Sequence, residues 1–482
     1  MTDLIKKVTA KYRQENRYKN FGSCLRNVEI NGFRGLKEIE ISLDFPVTAI
    51  SGLNGAGKST IGQLAICAYR KPTTALNYKR QYVKDFFPVS VADPVPFSLD
   101  ANVVFRYETN SYKKTQDVTV SRQKSSWSGY KRQPERHSYY IGFTVYIPKV
   151  ERRDLSVYGG KNLVFTDKRN LEPDVMEKMA RIIGHKYNDV NFQGVSHKAK
   201  HSEIGIASRL GYSYSENNMG FGEGRVLYTI DKLETAPEQS LFVLEEPETS
   251  LHESAQYEFA KYLIDVCNRR HHQIIMSTHS SVILNALPPE ARKLIIRDEN
   301  GVELRNNISA THIRSILSSG HVRGLDICVE DMFAKVLLTE IIRLKKKELL
   351  KSLAIHAVGD KDAVREATYV LNKTGKKAIA VRDADVGDAK TDKLYSFPGN
   401  LPPEKEVFQN VSVKKMIRKK FDIDIDWILQ RENIKDHHKI AECIALEVES
   451  SEEVVRTLAI EQYIHDIENE FDKLISDIES NL

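Results

Sequence analysis

Ser51-Gly52-Leu53-Asn54-Gly55-Ala56-Gly57-Lys58-Ser59 is the stretch on which the reading of this chain turns. It follows Val47-Thr48-Ala49-Ile50, an apolar run that reads as a buried strand, and precedes Thr60-Ile61-Gly62-Gln63-Leu64-Ala65-Ile66, which reads as a helix. Strand, glycine loop, Lys-Ser and helix in this order, with Gly52-x4-Gly57-Lys58-Ser59 complete, make a phosphate-binding loop. Glycines let backbone N–H groups converge on a phosphate without an intervening Cβ, and the helix N-terminus adds its positive end. Asn54, Gly55, Ala56, Gly57, Lys58, Ser59 and Thr60 are therefore the candidate nucleotide-binding residues. Lys58 reaches toward the β- and γ-phosphates, and the Ser59 hydroxyl suits Mg²⁺.

Three later stretches complete a candidate site. Asn218-Met219-Gly220-Phe221-Gly222-Glu223-Gly224-Arg225 sets glycines ahead of a helical run, which again suits close approach of a phosphate. Ser240-Leu241-Phe242-Val243-Leu244 is a buried strand ending in Glu245-Glu246-Pro247-Glu248. Carboxylates in that position lie at the carboxyl edge of a parallel sheet, where Glu245 would hold Mg²⁺ and Glu246 would polarise an attacking water. Gln273-Ile274-Ile275-Met276-Ser277-Thr278-His279-Ser280 is a further strand, with His279 just past its end and placed to sense a γ-phosphate.

The remainder of the 482 residues bounds the answer. The length predicts two or three domains. No apolar run approaches the roughly 18 residues of a membrane span, and the N-terminus lacks the apolar core of a signal peptide. Cys24, Cys67, Cys267, Cys328 and Cys443 are scattered without a CxxC pair, which predicts free thiols in a reducing cytoplasm. The net charge of +5 permits nucleic-acid contact without predicting it. Residues 25–43 read as two strands. About 75–150 reads as an antiparallel β-lobe inserted after the glycine-loop helix, with Tyr139 to Ile147 as one of its strands. Its basic and aromatic face is a candidate DNA contact, though a solvated sheet face has the same composition. About 150–215 reads as mainly helical.

In this order the phosphate loop, the glycine signature, the Glu-Glu pair and Ser-Thr-His-Ser resemble an ABC-type ATPase head of the SMC/RecF class. Phe33-Arg34-Gly35-Leu36, Glu245 to Glu248 and Leu251-His252 resemble, within that class, the overcoming-lysogenization-defect (OLD) nucleases and their anti-phage relatives. The resemblance covers roughly residues 25–315. It implies ATP with Mg²⁺ as cofactors and Arg34 among the nucleotide-binding residues. It also implies a signature loop at Met219, Gly220, Phe221, Gly222 and Glu223 that caps a partner head's nucleotide, hence a homo-oligomer at least as large as a head dimer. Glu245 would be the Walker B acid, Glu246 the catalytic base with Lys58, and His279 the switch histidine. A glutamate at the Walker B position is usual in OLD-like proteins.

From Arg323 a second α/β pattern begins. Asp326 to Val329 is a strand ending in Glu330-Asp331, and Lys377 to Val381 is a strand ending in Arg382-Asp383-Ala384-Asp385. Parallel strands would bring Glu330, Asp383 and Asp385 to one edge, where they could converge on a divalent metal. The pattern resembles a Toprim domain, which OLD-family nucleases carry behind their ATPase; Phe397 to Glu406 resembles the OLD segment that follows. Asp331 stands where a glycine is usual, and the domain is small, features that suit a non-cleaving Toprim domain. Asp436-His437-His438 offers metal ligands or, alternatively, a helix start capped by Asp436. The expected architecture is α/β: an ATPase head over 1–318, a Toprim-like domain over 319–415 and a helical tail over 416–482. The expected function is a regulatory ATPase of an anti-phage system, of the Septu, PARIS or Gabija kind, controlling a separate HNH or Toprim effector. The alternatives are an OLD- or Gabija-like metal-dependent endonuclease in its own right, or a RecF-like repair ATPase.

Overall fold

In the computed structural model, which describes residues 1–75, 78–110, 114–123, 126–147, 164–197, 200–299, 301–318, 323–431 and 436–482, the two alternating stretches ahead of the glycine loop are β1 (Leu25–Phe33) and β2 (Ile39–Ser42), paired antiparallel. The loop's own strand is β3 (Val47–Gly52), buried at every residue. Next come β4 (Phe97–Glu108), β5 (Thr115–Gln123), β6 (Ser126–Ser128) and β7 (Ser138–Ile141). They do not form an inserted lobe. β4, β5 and β6 extend the sheet begun by β1 and β2, in the order β2-β1-β4-β5-β6, and β7 leaves them to join another sheet in parallel with its neighbour. The reason is burial on one face: Val103, Phe105, Val118 and Val120 need the apolar cover that Ile61, Leu64 and Ala65 of the helix Lys58–Ala65 provide in one shared core. Residues 76, 77, 111–113, 124, 125 and 148–150 of the expected lobe lie outside the described residues.

The stretch expected to be helical is chiefly strand. β8 (Val164–Asn170), β9 (Asp189–His197), β10 (Lys200–Arg209) and β11 (Tyr212–Ser215) form a four-stranded antiparallel sheet, interrupted by the helix Pro173–Ile183. Val190 and Phe192 alternate with polar residues in the sequence, the period-two signal of a strand, although Asn191 and Gln193 are buried here as well; residues 150–163, 198 and 199 lie outside the described set.

β12 (Leu241–Glu245), β13 (Gln273–Ser277), β14 (Arg292–Asp298) and β15 (Gly301–Asn306) complete the central sheet, ordered β15-β14-β3-β13-β12-β7. All neighbours pair in parallel except β15 with β14. The carboxyl ends of β3, β12 and β13, each followed by a functional candidate, therefore share one edge.

His272, at the entry to β13, is fully buried. Its Nδ1 accepts from Ser240 N at 3.2 Å, and its Nε2 lies 2.9 Å from Leu233 O, so the ring is a neutral tautomer donating there. Burial, chiefly, pushes its pKa down to about 3. Below the unfolded value of about 6.5 the unfolded chain binds a proton that the folded chain refuses, so stability falls as pH drops from there toward 3. Denaturant unfolding followed against pH is expected to show His272 contributing a slope of about 1.4 kcal/mol per pH unit within that window. His272→Gln is expected to remove that contribution.

Contact density divides the chain into Met1–Ile313 and Arg314–Leu482. In the second unit, β16 (Leu325–Val329), β17 (Leu353–Ala357), β18 (Ala378–Arg382) and β19 (Leu394–Ser396) are parallel, in the order β17-β16-β18-β19. The helix Met332–Lys346 packs Phe333, Leu337 and Ile341 into a core that also takes Val413, Ile444, Ile460 and Ile478 from the C-terminal helices. Among the described residues, no helix is long and apolar enough to cross a membrane.

Candidate functional site

The glycine loop is shaped by contacts beneath it. At Gly52 φ is +155°, and a Cβ there would stand 2.3 Å from Ile295 O of β14, so the strand leaves the sheet in a way that only glycine permits. Gly57, in the left-handed region, caps the helix Lys58–Ala65. Asn54, Gly55 and Ser59 are exposed at the surface of the loop, whereas Ala56 and Thr60 are buried. Lys58 is 7% exposed, and its Nζ donates to Gly52 O at 3.0 Å and Leu53 O at 3.1 Å. Burial draws its pKa down, opposed by the negative charges of Glu246 and Glu248.

Glu245 ends β12. Its Oε1 is buried without a hydrogen-bond partner, and the Tyr140 hydroxyl faces the carboxylate, its pKa raised by burial and then by Glu245. A buried, unsatisfied carboxylate oxygen at this edge fits a hydrated cation. Glu246 follows with φ +41°, a left-handed conformation that costs of order 1 kcal/mol for a non-glycine residue. Its N–H holds the turn by donating to Ser277 O at 3.1 Å. His279 Nε2 lies 3.5 Å from Glu246 Oε1 and makes no hydrogen bond. Burial and then the Lys58 charge lower the His279 pKa, which favours neutral imidazole. The fold thus brings Lys58, Glu246 and His279 together.

Two members of this cluster escaped the sequence reading. Glu248, buried, accepts with one oxygen from Thr278 Oγ1 at 2.7 Å and from His279 N at 2.8 Å. Arg225, 2% exposed, donates from Nη2 to Glu245 O and lies over the Phe143 ring at 5.0 Å. Both residues stand inside the motifs that were read, but their roles depend on partners brought from other strands.

The signature residues lie elsewhere in the first unit. Phe221 already begins the helix Phe221–Thr235, with Gly220 as its cap. Gly222 and Gly224 are explained by packing: a Cβ would stand 2.5 Å from Ser250 O and 2.3 Å from the Tyr146 ring, respectively. Met219 is buried, and Glu223 accepts from the Tyr187 and Tyr214 hydroxyls, each at 2.8 Å. Gly220, Phe221, Gly222 and Glu223 line an open pocket of about 570 Å³ with Arg209 and His252. None of residues 54–60 lines it. Arg34, with φ +46°, is exposed over the Phe87 ring at 5.0 Å, and its carbonyl accepts from Arg297 at 2.9 Å. Its turn adjoins the loop through Leu36, 3.0 Å from where a Gly57 Cβ would be.

In the second unit, Glu330 follows β16 and Asp383 follows its neighbour β18, and Asp383 N donates to Glu330 Oε1 at 3.3 Å. Burial, then Glu330 and Glu404, push the Asp383 pKa up to about 8. Glu330 is also raised, by burial and, among its neighbours, by Asp385 and Asp331. The structure thus brings Glu330 and Asp383 into contact, with Asp385 near enough to act on both by its charge. Asp331, where a glycine was anticipated, caps the helix Met332–Lys346 by accepting from Ala334 N at 2.8 Å. Asp436 caps the short turn His437–Lys439 by accepting from His438 N at 3.1 Å. Glu404 is a further carboxylate of this cluster that was quoted in the sequence without a role.

Two family descriptions match the first unit: an AAA domain over residues 27–147 and an AAA ATPase domain over residues 161–284. Protein ea59 of Escherichia phage lambda is 31% identical over 87 residues, which are 18% of this chain and span 17% of that protein's length. Among solved structures, the SMC head domain from Thermotoga maritima is similar at 15% identity and a TM-score of 0.35, covering 58% of this chain and 98% of that one. The Smc head with an extended coiled coil bound to the C-terminal domain of ScpA, derived from Pyrococcus furiosus, is similar at 12% identity and a TM-score of 0.37, covering 61% and 98%.

Proposed function

We propose, from the premise that residues 27–147 and 161–284 match AAA-type ATPase domains, that this chain is a regulatory ATPase whose heads pair on ATP and thereby control a nuclease. The observation that carries the reading is the gathering of Lys58, Glu246 and His279, together with an open pocket over the glycine signature that the phosphate loop does not line. Residues 54–60 would cradle the phosphates, with Lys58 supplying positive charge. Ser59 and Glu245 would hold Mg²⁺, which supplies charge neutralisation at the phosphates when bound. Glu246 would accept the proton of the attacking water, and neutral His279 would orient it. A second copy would contribute Met219 to Glu223. The OLD-like motifs support placing this activity in an anti-phage complex with an HNH or Toprim effector. Sedimentation of the purified chain tests the pairing: a monomer-to-dimer shift on adding ATP and Mg²⁺ is expected, and a species unmoved by nucleotide rules it out.

A second reading is favoured by the crowding at Glu330, Asp383 and Asp385: the chain itself is a metal-dependent DNA endonuclease. Plasmid incubated with the pure chain and Mg²⁺ or Mn²⁺ decides between them. Nicking abolished by Asp383→Ala establishes this second reading, and intact plasmid leaves cleavage to an effector.

A further inference from the structure

Beside the carboxylate edge of the second unit lies a group of different chemistry. Glu404 sits in the first turn of the helix Pro403–Gln409 and is only 3% exposed. His437 and His438 are presented by the turn that Asp436 caps. One donor atom from each of the three residues can be chosen so that all lie within 4.8 Å of one another. The two imidazole centroids are 4.0 Å apart. His438 Nδ1 is 2.9 Å from Glu404 Oε1 and 3.2 Å from Asp331 Oδ2. Asp331 is thus shared, one oxygen capping a helix and the other facing the histidine ring.

A buried glutamate facing other carboxylates is unfavourable unless a cation answers it. His438 answers it in part. Two adjacent imidazoles are nonetheless a poor way to supply positive charge, because each disfavours protonation of its neighbour. Neutral imidazole nitrogen is a weak ligand for Mg²⁺ and a strong one for zinc and neighbouring first-row metals. Two imidazoles and one carboxylate are the donor set of three-ligand zinc sites that keep a position open.

We propose that Glu404, His437 and His438 bind a first-row transition-metal ion of the Zn²⁺ class, at a site that adjoins the carboxylates Glu330, Asp383 and Asp385 through Glu404. The inference rests on neither reading of the function given above, and it stands or falls without any activity. The site adds nitrogen donors to a cluster otherwise made of carboxylates.

The test uses the full chain, stripped with chelator and titrated with Zn²⁺ by calorimetry and with Co²⁺ by visible absorption. Wild-type protein is expected to take up one Zn²⁺ per chain at this site and to give ligand-field bands of low-coordinate Co²⁺ with nitrogen ligation. His437→Ala, His438→Ala and Glu404→Gln are each expected to weaken Zn²⁺ by at least about tenfold, since loss of an outer-shell partner alone costs that much. Glu330→Ala is expected to retain the Zn²⁺ affinity. His437→Ala is the decisive variant because the side chain is not part of the core, and circular dichroism of each apo variant checks folding. Unchanged Zn²⁺ affinity in both histidine variants overturns the proposal. So does loss of Zn²⁺ in Glu330→Ala to the same extent, which would assign the ion to the carboxylate edge.

Discussion

Lys58→Ala is expected to weaken nucleotide binding by the first unit by roughly 10–10²-fold. The ammonium is held at the mouth of the loop by Gly52 O and Leu53 O, and it is 7% exposed, so it is already partly stripped of water and aimed by its surroundings. A phosphate oxygen arriving there meets a charge that has already met much of its desolvation cost. Each charge-assisted hydrogen bond of this kind contributes about 1.5–3 kcal/mol, so the loss corresponds to roughly 10²-fold in affinity for one strong contact. Hydrolysis should fall further, because the same charge stabilises the transferring phosphoryl group. Calorimetric titration with ATP and Mg²⁺ measures the first effect and phosphate release the second. Wild-type affinity in the alanine variant would remove Lys58 from the site.

Glu246→Gln separates binding from chemistry. The carboxylate faces the His279 ring at 3.5 Å and sits on a residue forced to φ +41°, a conformation whose cost the Ser277 contact to its N–H offsets. Glutamine keeps the shape and loses the base. Turnover is expected to drop by roughly 10²–10⁴-fold, the usual contribution of a positioned general base, with ATP affinity within about threefold of wild type because uniform binding is untouched. The unhydrolysed nucleotide should then hold heads together, so sedimentation should show a dimer that persists with ATP in the variant and decays in the wild type. Unchanged turnover would take Glu246 out of its role, and a variant that turns over slowly without dimerising would separate hydrolysis from head pairing.

What was legible in the sequence follows the range of the interactions that set it. The phosphate loop, β12 with its two acids and β13 with its histidine are local patterns: an apolar run fixes the strand, and the next residues must stand at its end. The parallel edge at Glu330 and Asp383 was legible for the same reason. The β-lobe was misread because alternation identifies strands but not their partners. Whether β4 stands in a lobe of its own or beside β1 is decided by which face the Lys58–Ala65 helix covers. The helical reading of 150–215 failed where short polar-apolar alternation, as at Val190 and Phe192, was outweighed by one convincing helix at Pro173–Ile183. Gly222 and Gly224 have in addition a packing cause that the sequence did not show, close approach to Ser250 and Tyr146. Arg225, Glu248 and Glu404 remained silent because a buried charge declares its role only through partners that the chain brings from far away.

The Glu248 carboxylate has a mechanical meaning as well as a chemical one. One of its oxygens grips Thr278 Oγ1 and His279 N, while the N–H of Glu246, two residues earlier, grips Ser277 O. The loops that leave β12 and β13 are therefore braced crosswise, in both directions, at adjacent strand ends. Displacing His279 would therefore break contacts that also position Glu246 and Glu248, which ties the fate of one strand end to that of its neighbour.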